Sequence, residues 1–400
     1  MRARPLPLFL WATFCAAAPE AAPLPRLDPA GIGGSLVLAG RDATETALTV
    51  FVKAADEKEG KGTVLFYSGD DSNATGEALR ILRRLVPEER LAHTNEAAEL
   101  FARLDEASGL WLAGAETESL LPLARNPDAP GALQAFLRSG KAVGATAGVR
   151  HLLGSQESAK HALSLLPDAH LGPAPPDELL ERAPHLVAYE WDANATLRVR
   201  GRLIRAIGPG QVRIRRKTRY GEPPATLPLG ASSPLADLTA LRRTARDATI
   251  RPPAKAPKPI VRRGTLILIG GGGMPAGIVE RFVKLAGGKE ARIVVLPTAV
   301  PDPIPKPYRI DDTFRKAGAD HVTVLPGRAL EKVESAEYLA VLQEATGLWF
   351  GGGRQWRFVD AYLGTKAHPL MKDVLRRGGV VMGSSAGASI QAEYLARGNP

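Results

Sequence analysis

The chain has 400 residues, 44% hydrophobic and 24% charged, with 41 glycines and 33 prolines scattered among apolar runs. That balance excludes wholesale disorder, and the length suggests two or more domains, each able to bury its own core. Net charge is +10, and the single cysteine, Cys15, lies near the amino terminus.

Residues 1–22 read as an export signal. MRARP is basic, LPLFLWATFCAAA is apolar, and small residues follow to Ala22. The apolar stretch is too short for a comfortable span, so no stable membrane insertion is expected once the leader is cut after Ala17 or Ala18. A buried helix or an uncleaved anchor is the competing reading. Export would place the protein in the periplasm or outside the cell. Loss of Cys15 with the leader would leave no disulfide, no thiolate metal site and no cysteine nucleophile, and no metal or cofactor is expected.

Beyond the leader, phrases recur in fixed order. GSLVLAG (34–40) answers GTLILIG (264–270), and FVKAA (51–55) answers FVKLA (282–286). ASGLWLAGAE (107–116) answers ATGLWFGGGR (345–354), and LRSGKAVGATAG (137–148) answers LRRGGVVMGSSAG (375–387). The pattern predicts an internal duplication. Each unit alternates short Val-, Ile- and Leu-rich runs with helix-length stretches, as strands covered on both faces require. The expected fold class is α/β, two tandem doubly wound parallel-sheet domains at 33–216 and 263–400. They would be joined by a proline-rich linker at 217–262 with one helix near 234–246, and could pack as an internal pseudo-dimer or support a homo-dimer.

Within the first unit, Arg198, Arg200, Arg202, Arg205, Arg213, Arg215, Arg216, Lys217 and Arg219 crowd together. Apolar residues alternate with them, which predicts a hairpin with one wet face rather than a polyanion site. No aromatic interleaving supports a nucleic-acid platform, so no nucleic acid is expected as a partner. The first unit continues to about 216 beyond Thr146, whereas the second ends at Pro400 soon after Ser385, so the second is expected to be cut short at its carboxyl terminus.

In the second unit GGGGM (270–274) follows a strand but lacks the G-x-G-x-x-G spacing and a Walker lysine, and reads as a tight turn. FGGGRQ (350–355) also follows a strand. Its glycines would let backbone amides approach a substrate, which nominates Gly352 and Gly353 as oxyanion donors. Gly383-Ser384-Ser385-Ala386-Gly387 fits G-x-S-x-G between a strand (380–382) and a helix expected over 386–395. Such a bend presents the Ser385 hydroxyl at the sheet edge beside the Ala386 N–H. Thr146 occupies the matching place in the first unit, where a stiff β-branched side chain points to decay rather than to nucleophilic chemistry.

These motifs carry a resemblance. The order LILIGGG, RIVVLPTA, ATGLWFGGGRQ, GGVVMGSSAGA resembles cyanophycinase and its relatives in the S51 serine peptidase family. Their fold is similar to that of class I glutamine amidotransferases, which place cysteine at this elbow. The resemblance covers 264–400 well and 34–216 more faintly. It implies that Ser385 is the nucleophile and that Gln355 contacts substrate. Arg354 stands where the family has aspartate, which puts the substrate in doubt, because cyanophycin carries cationic side chains that Arg354 would repel. An acidic or peptide-like substrate remains open. The family's histidine and acid are expected downstream of the serine, and none of the seven histidines follows Ser385. The upstream His368 reads as a surface residue at the start of a helix. The resulting expectation is an exported serine-type peptidase of the cyanophycinase-like class, hydrolysing peptide or isopeptide bonds. A non-catalytic binding protein on the same fold is the alternative, and an α/β-hydrolase esterase is disfavoured by the late position of the elbow.

Overall fold

The computed structural model describes residues 26–42, 44–57, 62–69, 72–157, 159–172, 177–219, 221–249, 255, 260–305, 308–392 and 395. The leader read at 1–22 lies outside the described residues.

The first unit begins with β1 (Ser35–Ala39), α1 (Thr44–Ala55), β2 (Thr63–Ser68), α2 (Asn73–Leu85), β3 (Leu91–Thr94), α3 (Ala97–Arg103) and β4 (Ala107–Ala113). The connection from β4 runs through α4 (Leu121–Ala124) and α5 (Ala129–Arg138) to β5 (Ala142–Ala145). Every residue of β1, β4 and β5 is buried, so these strands are apolar throughout rather than alternating. Helix α1 buries Ala47, Leu48, Phe51, Ala54 and Ala55, a stripe at helical spacing, against one face of the sheet. Helix α2 starts where the Ser72 side chain accepts from the Thr75 N–H at 3.3 Å. Residues of α5 and of the carboxyl-terminal part of the unit cover the opposite face.

That part comprises β6 (Ala169–His170), α6 (Asp177–Arg182), β7 (Val187–Trp191), β8 (Thr196–Arg200), β9 (Leu203–Ile207), β10 (Val212–Arg216), β11 (Ala225–Leu229), β12 (Ala236–Asp237) and α7 (Leu238–Asp247). Strand order in the large sheet is β12-β9-β8-β1-β5-β4-β2-β3, and a second sheet runs β11-β10-β7-β6. The β8–β9 pair is the antiparallel hairpin expected from the alternating arginines, with Leu197, Val199, Ile204 and Ala206 buried. Its basic residues and those of β10 are largely neutralised. Arg198 and Arg200 reach Glu57, Arg213 reaches Glu190 and Asp192, and Arg215 reaches Asp177 and Glu190.

The second unit contains β13 (Thr265–Ile269), α8 (Ile278–Ala286), β14 (Arg292–Leu296), α9 (Ile310–Lys316), β15 (His321–Val324), α10 (Leu330–Val333), α11 (Ala336–Glu344) and β16 (Gly347–Phe350). Helices α12 (Gln355–Tyr362) and α13 (Ala367–Arg376), strand β17 (Val380–Ser384) and the short α14 (Ala386–Ser389) complete it. The sheet is wholly parallel, in the order β13-β17-β16-β14-β15. Helices α8 and α9 pack Phe282 and Phe314 on one face, against Trp349, and α11 to α13 cover the other, so the sheet is doubly wound. Counted by appearance along the chain, the five parallel strands of each unit follow one order, first-fifth-fourth-second-third. The units differ at the outer side of the first strand. Strand β8 covers β1, whereas β13 is an edge and Leu268 on it is 61% exposed.

Two expectations need correction. The segment 217–262 is not a free linker: β11 pairs with β10, β12 pairs with β9, and α7 buries Leu238, Leu241 and Ala245 in the first unit's core. Pro228 lies on β11 at the edge of its sheet, where the missing N–H does no harm. The helix expected over 386–395 ends at Ser389.

Helix α7 also ties the units together. Arg242 and Arg246 on it hold Asp168 of the first unit through Nε bonds of 3.0 and 2.7 Å. Arg243 points the other way, donating to both carboxylate oxygens of Asp360 on α12 and lying 3.9 Å from the Trp356 ring centroid. Both partners are almost fully buried. Removing one member of such a pair strands a charge, so Arg243→Met or Asp360→Leu alone should cost about 3–5 kcal/mol. The double variant should recover most of that loss in denaturant titrations. Single-variant losses below about 1 kcal/mol would show that the pair does not hold the units.

Candidate active site

Strand β17 lies between β13 and β16, with Ile269 paired to Ser384 and Phe350 to Gly383. The turn that follows it therefore emerges in the interior of the sheet's carboxyl edge, where loops of an open parallel sheet converge on ligands. The Ser385 N–H extends the ladder to the Ile269 carbonyl at 2.9 Å, and the backbone then bends sharply, with φ +50° and ψ −113° at Ser385. This left-handed conformation is costly for any residue with a Cβ. Helix α14 starts at once, and its small residues are a steric requirement. A Cβ on Gly387 would overlap the Phe350 carbonyl, and one on Gly383 would overlap the Gly387 carbonyl. Ala386 is buried, whereas Ser385 is exposed.

The loop after β16 runs beside this turn. A Cβ on Gly352 would lie 3.5 Å from the Ser385 Cβ. Gly351 packs beneath the Tyr308 hydroxyl, and Gly353 has φ +137° with its α-carbon against the Ala299 carbonyl. The next N–H, of Arg354, donates to that same carbonyl at 2.9 Å. Among the described residues, the N–H groups of Gly352, Gly353 and Ala386 donate to no backbone acceptor. Two of the nominated donors, Gly352 and Ala386, thus flank Ser385, one in the adjoining loop and one in the chain itself. Arg354 is exposed as the residue preceding α12, and Gln355 is the half-buried first residue of that helix. GGGGM forms a bend after β13 in which a Cβ on any of Gly270 to Gly273 would meet nothing.

Sequence reasoning missed the Pro297–Ala299 corner and Tyr308. The Ala299 carbonyl accepts from the Arg354 N–H and from Arg357 Nη1 at 3.2 Å, and so sets the height of the glycine loop. No motif advertises this, because a backbone carbonyl performs the task. His368 is half-buried in the first turn of α13, and burial together with Lys372 lowers its pKa. Among the described residues, no side chain hydrogen-bonds to the Ser385 hydroxyl, and no group of three or more His, Cys, Asp or Glu is placed to hold a metal. No described helix is long and apolar enough to cross a membrane.

The first unit handles the matching position differently. Thr146 is buried, and its hydroxyl donates to the Gly114 carbonyl at 2.8 Å while accepting from the Gly114 N–H at 3.1 Å. Its φ is not positive, and the turn leads into a 3-10 segment, Arg150–Leu153, instead of an α-helix.

Because glycine relieves the left-handed strain, Ser385→Gly should be about 1 kcal/mol more stable than Ser385→Ala in equilibrium unfolding. Gly387→Ala should destabilise by about 2 kcal/mol through overlap with the Phe350 carbonyl.

Residues 266–399 match the family model described as Peptidase family S51. The chain is similar to the cyanophycinase of Trichormus variabilis, 29% identical over 122 residues that make up 30% of this chain and 41% of that protein. It is also similar to the cyanophycinase of Geminocystis herdmanii, 30% identical over 125 residues, 30% of this chain and 45% of the relative. The chain thus spans less than half the length of these curated relatives. Among solved structures it is similar to a peptidase from an acI-B1 Actinobacterium, with 14% identity and a TM-score of 0.38 over 51% of this chain and 96% of that one.

Proposed function

We propose, because residues 266–399 match the model of peptidase family S51, that the protein is a serine-type peptidase whose nucleophile is Ser385. The observation that carries this reading is the left-handed turn at Ser385, exposed at the sheet edge beside Gly352 and ahead of the unbonded Ala386 N–H. In the reaction, Ser385 Oγ adds to the carbonyl carbon of a peptide or isopeptide bond as its proton passes to a base. The carbonyl oxygen becomes an oxyanion facing the N–H groups of Ala386 and of Gly352 or Gly353. Collapse breaks the C–N bond, the amine leaves with a proton, and water then hydrolyses the acyl-serine ester. Helix α14 has only four residues, so its dipole adds little and the discrete N–H groups carry the stabilisation.

Arg354 and Gln355 open α12 at the same edge, which supports a substrate-contacting role for both. An exposed arginine there favours substrates with acidic groups near the scissile bond and disfavours cationic ones. The basic, apolar and small-residue succession over 1–22 supports export by a cleaved leader. The common winding order of the two sheets, together with the paired phrases, supports descent of both units from one ancestor, with the first having lost the nucleophile.

A fluorophosphonate probe on the full chain should form an adduct on the peptide containing Ser385, detected by mass spectrometry. Ser385→Ala should abolish it, whereas Thr146→Ala and His368→Gln should leave it intact. Absence of any adduct on the folded protein counts against the reading. Arg354→Glu should move kcat/KM away from acidic and toward basic dipeptides by about fivefold, the effect of ~1 kcal/mol from an exposed charge.

A further inference from the structure

The first unit carries a cleft of about 430 Å³ at the carboxyl edge of its own sheet. Its walls are the loop after β4, with Glu116, Thr117 and Glu118, and the turn after β5, with Arg150 and His151. These loops occupy the places that the glycine loop and the Ser385 turn occupy in the second unit. The chemistry differs. The Thr146 hydroxyl is consumed by Gly114, so the cleft contains no exposed nucleophile at that position.

What the cleft offers instead is an uncompensated cation. The Arg150 guanidinium donates from Nη1 to the Ala39 carbonyl at 2.7 Å and lies 4.4 Å from the Trp191 ring centroid. Its buried Nε has no hydrogen-bond partner among the described residues, and no described carboxylate lies within ion-pairing distance. Burial pulls its pKa down to about 10. The buried Arg242, Arg243 and Arg246 each have a carboxylate, as buried charges normally do. Half-buried Arg150 lacks one among the described residues and lines a cavity, which is the arrangement of a site whose counter-ion arrives with the ligand.

The rest of the lining narrows the ligand class. His151 Nε2 is 2.8 Å from Thr117 Oγ1, and its pKa is lowered by burial and by Arg150. Glu116 and Glu118 are exposed at the rim, and Glu118 acts electrostatically on His151. Two carboxylates beside one arginine repel a polyanion such as phosphate but suit a molecule with one charge of each sign. The volume is that of a small-molecule site.

We propose that this cleft is a non-catalytic binding site for a small zwitterion, a free amino acid or dipeptide, whose carboxylate pairs with Arg150 and whose ammonium group faces Glu116 and Glu118. The inference does not depend on Ser385 being a nucleophile.

Isothermal titration of the full chain with glycylglycine tests it, run in wild type and in Ser385→Ala so that hydrolysis is separated from binding. Saturable binding is expected in both. Arg150→Gln should weaken it at least tenfold. Glu118→Gln, an exposed change that spares the fold, should weaken glycylglycine about threefold yet leave N-acetylglycine, which lacks the ammonium group, unchanged. Glycinamide, which lacks the carboxylate, should bind at least tenfold more weakly than glycylglycine. Absence of saturable binding, or binding indifferent to both Arg150→Gln and Glu118→Gln, overturns the proposal. So does inorganic phosphate competing as well as the dipeptide.

Discussion

The constraint on which both sheet-edge sites depend is the insertion of the fifth parallel strand between the first and the fourth. A strand added at the edge would release its turn at the periphery. Inserted there, β5 and β17 each release theirs between neighbouring strands, so the following turn must climb out beside the loop of the fourth strand. Space is so short that glycine is obligatory. Gly387 rests on the Phe350 carbonyl, and Gly148 rests on the Ala115 carbonyl. Close approach of backbone to backbone is what brings N–H groups near whatever occupies the edge.

From one scaffold the two units draw different local solutions. In the second, the residue after the strand takes a left-handed conformation and its side chain is left exposed beside the N–H groups of the glycine loop. In the first, Thr146 keeps an ordinary backbone, turns its hydroxyl inward, and satisfies both the N–H and the carbonyl of Gly114. Gly114 matches Gly352 in the phrase pairing of the sequence, so the amide free in one unit is occupied in the other. A hydrogen bond worth about 1 kcal/mol thus separates a strained, open edge from a relaxed, closed one. The first unit's polar character passes instead to Arg150 and the rim glutamates.

Helix α7 makes the two units one molecule. Its arginines face opposite directions at neighbouring positions, Arg242 toward Asp168 and Arg243 toward Asp360. Arg26 adds a link by donating to the Ala361 carbonyl at 2.9 Å and the Arg328 carbonyl at 3.2 Å. The prolines on either side of this helix are why the segment holding it reads as a linker from composition alone. The acids that bury it are 74 residues upstream and 117 downstream, beyond the reach of any local pattern.

The sequence by itself determined the strands, the α/β class and the place of Ser385. Short Val-, Ile- and Leu-rich runs bounded by turn residues suit strands of a parallel sheet, and a G-x-S-x-G phrase between strand and helix allows few backbone paths. It also marked Gly352, Gly353, Arg354 and Gln355 as one loop. Tertiary structure alone decided that Gly352 lies against Ser385, that α14 stops after four residues, and that the Ala299 carbonyl braces the loop. It alone decided that Arg150 is half-buried, with no carboxylate of the described residues pairing with it, at the mouth of a cavity. The division has one physical cause. Periodicity and turn chemistry are properties of residues adjacent in the chain, whereas counter-charges and backbone contacts come from segments that meet only when the sheets close.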